Sequence, residues 1–355
     1  MKLEYAGLSD VGLKRGHNED AYAVVADLGL YMVADGMGGH SSGEVASRMA
    51  CDAVAGFFRE TEHDEDMTWP YKMERGVGYE ANRLSVGVKL ANLRIHERAQ
   101  SNQAQRGMGT TFVGMRFTKD GYVIGHVGDS RVYRVRDGEL EMLTEDHSLL
   151  NDYIKMKELT EQEIANFPHK NVIVRALGMK DTVQVDLSID EARADDIYLL
   201  CSDGLSGMVT DPALCDIIVD NAPRGLNDAC RALIDAANEA GGNDNITALL
   251  IRVVELWYEE VLADYDQQLA GMRGVWNRLR FMVWHHLKSI HENPELVSLF
   301  FRHIRVSPDY VNSTVYELNR RYTNHIVEIV QGGIASGELW PEVSTTIIRD
   351  LIYGC

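Results

Sequence analysis

Two kinds of hydrophobic patterning divide the chain. Up to about residue 255, short runs rich in β-branched and aromatic residues are interspersed with longer runs of helical period. "YMVAD", "GTTFVGMRF", "GYVIGHVGD", "RVYRVRDGEL", "IYLLCSD" and "ITALLIRVV", punctuated by Gly and Asp, are predicted strands. "RVYRVRDGELEML" has the form of a hairpin, with Asp137-Gly138 supplying the positive-φ turn. "SSGEVASRMACDAVAGFF" opens on a Ser cap and repeats apolar residues at helical spacing, as do "YEANRLSVGVKLANLRIHERAQ" and "GLNDACRALIDAANEA". Strands in several groups with helices between them predict an α+β layered sandwich rather than a regular βαβ alternation.

From Leu256 the strand signals stop. "WYEEVLADYDQQLAGMRGVWNRLRFMVWHHLKSIH", "ELVSLFFRHIRV", "DYVNSTVYELNRRYTNHIVEIVQ" and "EVSTTIIRDLIYG" all have helical period. Val275, Leu279, Met282 and Val283 fall on one helix face, and Asn293-Pro294, Ser307-Pro308 and Trp340-Pro341 mark turns. Four of the five tryptophans lie in this part, mainly as bundle core. The expected organisation is therefore a mixed domain over 1–255 and an all-α domain over 256–355, without a Gly/Ser-rich linker.

Length and charge narrow the function. At 355 residues two domains are favoured. A formal charge of -19 excludes a broad nucleic-acid or anionic-membrane surface, both of which need positive potential. The N-terminal "MKLEYAGLSDVG" lacks an apolar signal core, and no run approaches the roughly 18 apolar residues of a membrane span. The five cysteines are scattered rather than paired as in a zinc site, so reduced thiols and a cytoplasmic location are expected.

The acidic excess has a sharper reading. "VADGMGG", "HVGDSR", "LLCSDGL" and "GGNDNIT" each bring an aspartate (Asp35, Asp129, Asp203, Asp244) from a strand or turn into a small-residue loop. Hard divalent cations want several oxygen ligands, and a Gly after the Asp lets a backbone carbonyl reach the ion. "RGHNED" adds Arg15, Asn18, Glu19 and Asp20, and Arg grips phosphate oxygens through its planar fork. A single "DG" is usually a turn; four aspartates at strand ends point to metal chemistry.

Taken in order, Arg15-x-x-Asn18-x-Asp20, Asp35 to His40 ("DGMGGH"), "GMGTT" (Gly107 to Thr111), "GDSR" (Gly128 to Arg131), "DHS" (Asp146 to Ser148), "SDGL" (Ser202 to Leu205) and Asp244-Asn245 resemble the metal-dependent protein serine/threonine phosphatases, the PPM or type 2C family in its bacterial form. The resemblance spans about residues 3–254. It implies a β-sandwich of two antiparallel sheets flanked by helices, with two Mn²⁺ or Mg²⁺ ions at one end. Asp35 would bridge the ions and the Gly36 carbonyl would bind one. Asp203 and Asp244 would bind the other, and Asp129 with Asp203 would form a third position. Glu19 and Asp20 would hold metal-bound waters, and Arg15 the substrate phosphate.

These residue types suit in-line hydrolysis of a phosphoester. Two cations about 3.5–4 Å apart activate a water near neutral pH, and metal and Arg15 charges stabilise the equatorial oxygens. The leaving alkoxide needs a proton, for which His40 is the leading candidate and His17 and His147 are rivals. For His147 a structural hydrogen-bonding role is preferred, and for His126, in a predicted strand, a place in the core. "NDYIKMKELTEQEIANFPHKNVIVRALG" matches the family's flap. The substrates implied are phosphorylated proteins, with a cognate kinase as partner. A catalytically silent scaffold of this fold, a ligand-responsive regulator and an enzyme for small phosphoesters are the alternatives.

From "NPEL" through "GGIASGEL" and its Pro-led last helix, the tail resembles the C-terminal ligand-binding and dimerisation domain of TetR-type regulators. No helix-turn-helix segment precedes it, so DNA binding is not expected. Regulation, or homodimerisation through this tail, is.

Overall fold

The computed structural model describes residues 2–38, 42–62, 69–118, 121–156, 172–254, 268–269, 271–292, 305, 314–342 and 344–353. The chain separates into two compact units, Met1–Glu255 and Leu256–Cys355.

The first unit holds two antiparallel sheets. One runs β1 (Lys2–Asp10), β11 (Ile246–Val254), β10 (Ile197–Cys201), β7 (Arg131–Arg136), β8 (Glu139–Met142) in spatial order. The other runs β2 (Asp20–Val25), β3 (Leu30–Met37), β5 (Phe112–Thr118), β6 (Gly121–Val127), β9 (Asp186–Asp190), with the short β4 (Gly109–Thr110) on the end of β3. Helices α1 (Ser42–Glu60) and α2 (Tyr79–Ser101) cover the second sheet; α5 (Asp211–Asn221) and α6 (Leu226–Glu239) cover the first.

Strand pleating assigns residues to layers. Along β3, Leu30, Met32 and Ala34 face the α1/α2 layer, while Tyr31 and Val33 enter the seam between the sheets. On β11, Ile246, Ala248 and Leu250 meet α5 and α6, and Leu249, Ile251 and Val253 face the seam. A strand buried on both faces must be apolar throughout, which is why these segments read as continuous hydrophobic runs. The β7–β8 hairpin turns on Asp137 and Gly138, at φ 52° and 79°, as its sequence predicts.

Two of the predicted segments take a different form from that expected. "GTTFVGMRF" is not one strand: it breaks at Thr111, because Thr111 bonds to Asp35 through both its backbone N–H and its Oγ1. Asp203 does not end a strand but opens the one-turn helix α4 (Asp203–Ser206), after Ser202 leaves β10. Of the flap, α3 (Leu149–Met156) and residues 172–178 are described; 157–171 lie outside the described residues.

In the second unit, α7 (Val275–Glu292), α8 (Thr314–Ala335) and α9 (Thr345–Tyr353) close around Val275, Met282, Tyr322, Ile326, Val330 and Tyr353. Val275 and Met282 are buried and Leu279 packs against them, whereas Val283 stays outside this core; Trp276, Trp284 and Trp340, expected in the bundle core, are instead exposed at 66%, 56% and 79%. The helices expected over 257–267 and 295–306 lie outside the described residues, apart from Arg305. Among the described residues no helix is long and apolar enough to cross a membrane.

Candidate active site

Five aspartates gather at one end of the sandwich. Asp20 opens β2 and stands opposite Asp35 in the β2–β3 register. Asp129 follows β6, Asp203 follows β10, and Asp244 precedes β11. Burial, then the charges of Asp20, Asp203, Asp129 and Asp244, hold the Asp35 carboxyl well above its usual range. Asp129 is pushed up to about 7, by burial and then by Asp203. Asp203 is raised by burial and Asp244, with its hydrogen bond to Asp35 pulling the other way. Like charges confined in a desolvated end raise one another in this manner unless a cation neutralises them.

Neutral neighbours set two of these aspartates, Asp35 through its backbone and Asp20 through its carboxylate. Asp35 has its backbone N–H on Thr111 Oγ1 (2.9 Å), and its carbonyl accepts from Thr110 Oγ1 (2.8 Å) and Thr111 N (2.9 Å). Asp20 Oδ2 accepts from Ser202 Oγ and Thr247 Oγ1, both at 2.7 Å, and its backbone N–H donates to Asn18 Oδ1 at 3.1 Å. Despite these bonds, burial pushes Asp20 up to about 6. Asn245 braces the rim: its Oδ1 accepts from Glu19 N (2.8 Å), and its Nδ2 donates to the carbonyls of Val11 and His17 (both 3.0 Å).

Gly36 and Gly43 are there because two backbones touch. A Cβ on Gly36 would lie 2.2 Å from the Gly43 oxygen and 2.4 Å from the Glu19 oxygen. This contact seats the start of α1 beside the acidic rim. Glu19 Oε1 accepts from Gly43 N (3.2 Å), offering a carboxylate to the exposed N–H groups of α1's first turn.

The donor set fits hard divalent cations. It is all oxygen, and Asp20 Oδ1 and Asp129 Oδ1 are buried with no hydrogen-bond partner, a costly state for a carboxylate unless a cation takes it up. Among the described residues no three His, Cys, Asp or Glu side chains close on a single point. The carboxylates line a rim instead, which suits ions that keep several waters. Beside them opens a cavity of about 540 Å³, lined by Asp129, Asp203 and Asp244 on one side and by Met142, Leu150 and Met208 among others.

The family model for protein phosphatase 2C matches residues 14–250, covering every one of these aspartates. The chain belongs to the protein phosphatase 2C family.

Its relatives in that family are protein serine/threonine phosphatases. The serine/threonine phosphatase stp of Listeria welshimeri is 37% identical over 250 residues, covering 68% of this chain and 93% of the relative. The protein phosphatase PhpP of Streptococcus pneumoniae is 35% identical over 259 residues, covering 71% and 98%. The crystal structure of the Mycobacterium tuberculosis serine/threonine phosphatase PstP/Ppp superposes with a TM-score of 0.62 at 34% identity, covering 72% of this chain and all of that one. The PstP catalytic domain solved with two manganese ions gives a TM-score of 0.60 at 34% identity, covering 71% and 99%. A second model, the tetracyclin repressor-like C-terminal domain, matches residues 273–355.

Within this 2C-type domain, the structure brings Asp20, Asp35, Asp129, Asp203 and Asp244 together, with Glu19 and Gly36 at their edge. Arg15 stands on the same rim, its Nη2 donating to Asp244 Oδ2 at 2.6 Å, with about half its side chain exposed. That bond, more than the surrounding charges, holds its pKa above the ordinary arginine value. His40 lies outside the described residues. His17 Nε2 pairs with Glu19 Oε1 at 3.3 Å, and His126 is buried in β6, where desolvation lowers it to about 4.

Sequence reading assigned no role to the residues that set the carboxylates: Thr110, Thr111, Ser202, Asn245 and Thr247. Their signal was adjacency: Ser202, Asn245 and Thr247 lie inside or within three residues of an aspartate motif, and Thr110 and Thr111 lie inside "GMGTT". Their partners, however, are far away in sequence.

Proposed function

We propose that residues 14–250 hydrolyse phosphoserine and phosphothreonine esters of proteins, using two divalent cations, Mn²⁺ or Mg²⁺, with a third at Asp129. The observation that carries this is the cluster of five aspartates, four of them (Asp20, Asp35, Asp129 and Asp203) with raised carboxyls and two with unpartnered buried oxygens, sharing a rim with one exposed arginine.

Asp35, the Gly36 carbonyl, Asp203, Asp244 and Asp129 would hold the cations, and Glu19 and Asp20 their waters. Bound cations supply Lewis acidity toward phosphoryl oxygens and lower the pKa of coordinated water. Arg15 orients the phosphate and stabilises charge on its equatorial oxygens. Asp244 competes for the Arg15 fork, so the guanidinium turns from carboxylate to phosphate as substrate enters. His40 donates the proton that the Ser or Thr alkoxide needs on leaving. The cavity beside Asp129, Asp203 and Asp244 accommodates the peptide flanking the phosphorylated residue.

The phosphatase domain is proposed to oppose a cognate kinase, and the helical tail to be a regulatory or pairing module that forms a homodimer. The tail's own core and its likeness to a repressor-like C-terminal domain support the second of these.

The test is turnover of a phosphothreonine peptide with Mn²⁺, with excess chelator, and with Asp203→Ala. Metal-dependent release of phosphate, abolished in the variant, is expected. Silence in both the full chain and residues 1–255 would move the reading to a catalytically inert scaffold.

A further inference from the structure

Gly128, the residue before Asp129, is clamped from two sides. Its N–H donates to His147 Nδ1 at 3.0 Å. Its carbonyl accepts from the His147 backbone N–H at 2.8 Å and stands 2.9 Å from His126 Nε2. The two imidazoles lie against each other, centroids 4.4 Å apart at 35°. Gly128 sits at φ +113°, and a Cβ there would meet the Thr111 side chain at 2.7 Å, so only glycine fits at this position. On the far side of Asp129, Ser130 Oγ bonds Thr111 Oγ1 at 2.7 Å. Both flanks of Asp129 are therefore fixed, while its own Oδ1 is buried without a partner.

The clamp has a second layer. Because His147 Nδ1 accepts from Gly128, the ring proton belongs on Nε2, which lies 3.1 Å from Asp186 Oδ2. Arg175 anchors that carboxylate, its Nη1 donating to Asp186 Oδ1 at 2.6 Å; its approach to the protonated Nε2 (3.1 Å) is a contact between two donors and not a hydrogen bond. The other tautomer would put two N–H groups face to face at Gly128 and leave the carboxylate facing a lone pair. A carboxylate behind a histidine fixes its tautomer and ring angle in this way. The backbone repeats the tie, since Val174 N donates to the His147 carbonyl at 2.9 Å.

We propose that His147, held in a single tautomer by the Gly128 N–H and by Asp186, which Arg175 anchors in turn, is a positioning residue that presents Asp129 to a divalent cation. This rests on the reading of Asp129 as a metal ligand. His147 touches neither substrate nor ion; it acts through the Gly128 peptide.

The experiment is calorimetric titration of the full chain with Mn²⁺, alongside phosphothreonine-peptide kinetics at varied Mn²⁺, for wild type, D129N, H147L, H147N and D186A. D129N identifies the Mn²⁺ class that depends on Asp129. H147L, which removes the acceptor, should weaken that class about 10–100-fold and raise the Mn²⁺ needed for half-maximal rate by a similar factor. H147N puts an amide oxygen where Nδ1 was and should restore most of the affinity. D186A, at the half-exposed end of the group, should weaken the class severalfold, and it decides the matter if H147L does not fold. Mn²⁺ binding like wild type in both H147L and D186A, whatever their thermal stability, would overturn the proposal. So would H147N binding no better than H147L. A wild-type chain that binds no Mn²⁺, or a D129N that loses no class, removes the underlying metal reading as well.

Discussion

Gly36 shows most sharply what one position demands. Its missing side chain is not a matter of flexibility but of two backbones at van der Waals contact. Gly36→Ala is expected to cost about 3 kcal/mol or more, since the Gly43 and Glu19 carbonyls it would strike cannot rotate away. Thermal unfolding of the metal-free variant measures it; an unchanged midpoint would show that the α1 start can retreat. The acidic residues make a second prediction. Asp20 and Asp129, pushed up to about 6 and about 7, bind protons more tightly folded than unfolded. In chelator-treated protein their contribution is therefore greatest below the unfolded carboxyl value of about 4 and is lost as pH rises through 6 to 7. Mn²⁺ should flatten that slope by stabilising the ionised forms. Melting curves between pH 5 and 8, with chelator and with Mn²⁺, would reveal it, and a flat chelator profile would contradict it.

Elements are joined here by polar side chains as well as by cores. Arg83 of α2 is nearly inaccessible, yet reaches the end of α1 through Nε to Thr61 Oγ1 (2.8 Å), Nη2 to Glu62 Oε2 (3.0 Å) and a bond to the Phe58 carbonyl. Its guanidinium also stacks over the Phe58 ring, 4.4 Å from the centroid. Arg83→Met keeps the volume but removes the guanidinium's bonds to the Phe58 carbonyl, Thr61 and Glu62, so a loss of about 2–3 kcal/mol is expected, read from denaturant unfolding. Peptide turnover at low temperature should remain, because Arg83 lies behind the sheet, away from the acidic rim. Element type was legible where period was strong, as in β3, β6, α1 and α2. The strands β1, β2 and β9 were not predicted, since "KLEYAGLSD", "DAYAVV" and "DLSID" carry polar residues that partly exposed positions on β1 and β2, and mostly exposed ones on β9, tolerate.

For the whole molecule, among the described residues the phosphatase unit and the tail each have an apolar core of their own. Calorimetry of the full chain is therefore expected to resolve two transitions, with Mn²⁺ raising only the one that residues 1–255 show alone. A single transition shifted as a unit by Mn²⁺ would mean the two parts unfold together. Light scattering on the same two proteins tests the pairing role of the tail: loss of a dimer on truncation is the expected result.

The sequence by itself determined the order of motifs, the strand-forming and helix-forming segments, and the family with its complement of aspartates. These are written in neighbours two to four residues apart or in short contiguous words. What only the tertiary structure decided is who holds the aspartates. Ser202 and Thr247 reach Asp20 from 182 and 227 residues away. The Asp20–Asp35 opposition comes from a strand register, and the His147 clamp from a loop meeting the end of β6. The physical reason is that local periodicity fixes which face a side chain takes, whereas its partner is set by sheet register and layer packing, which depend on the whole chain at once.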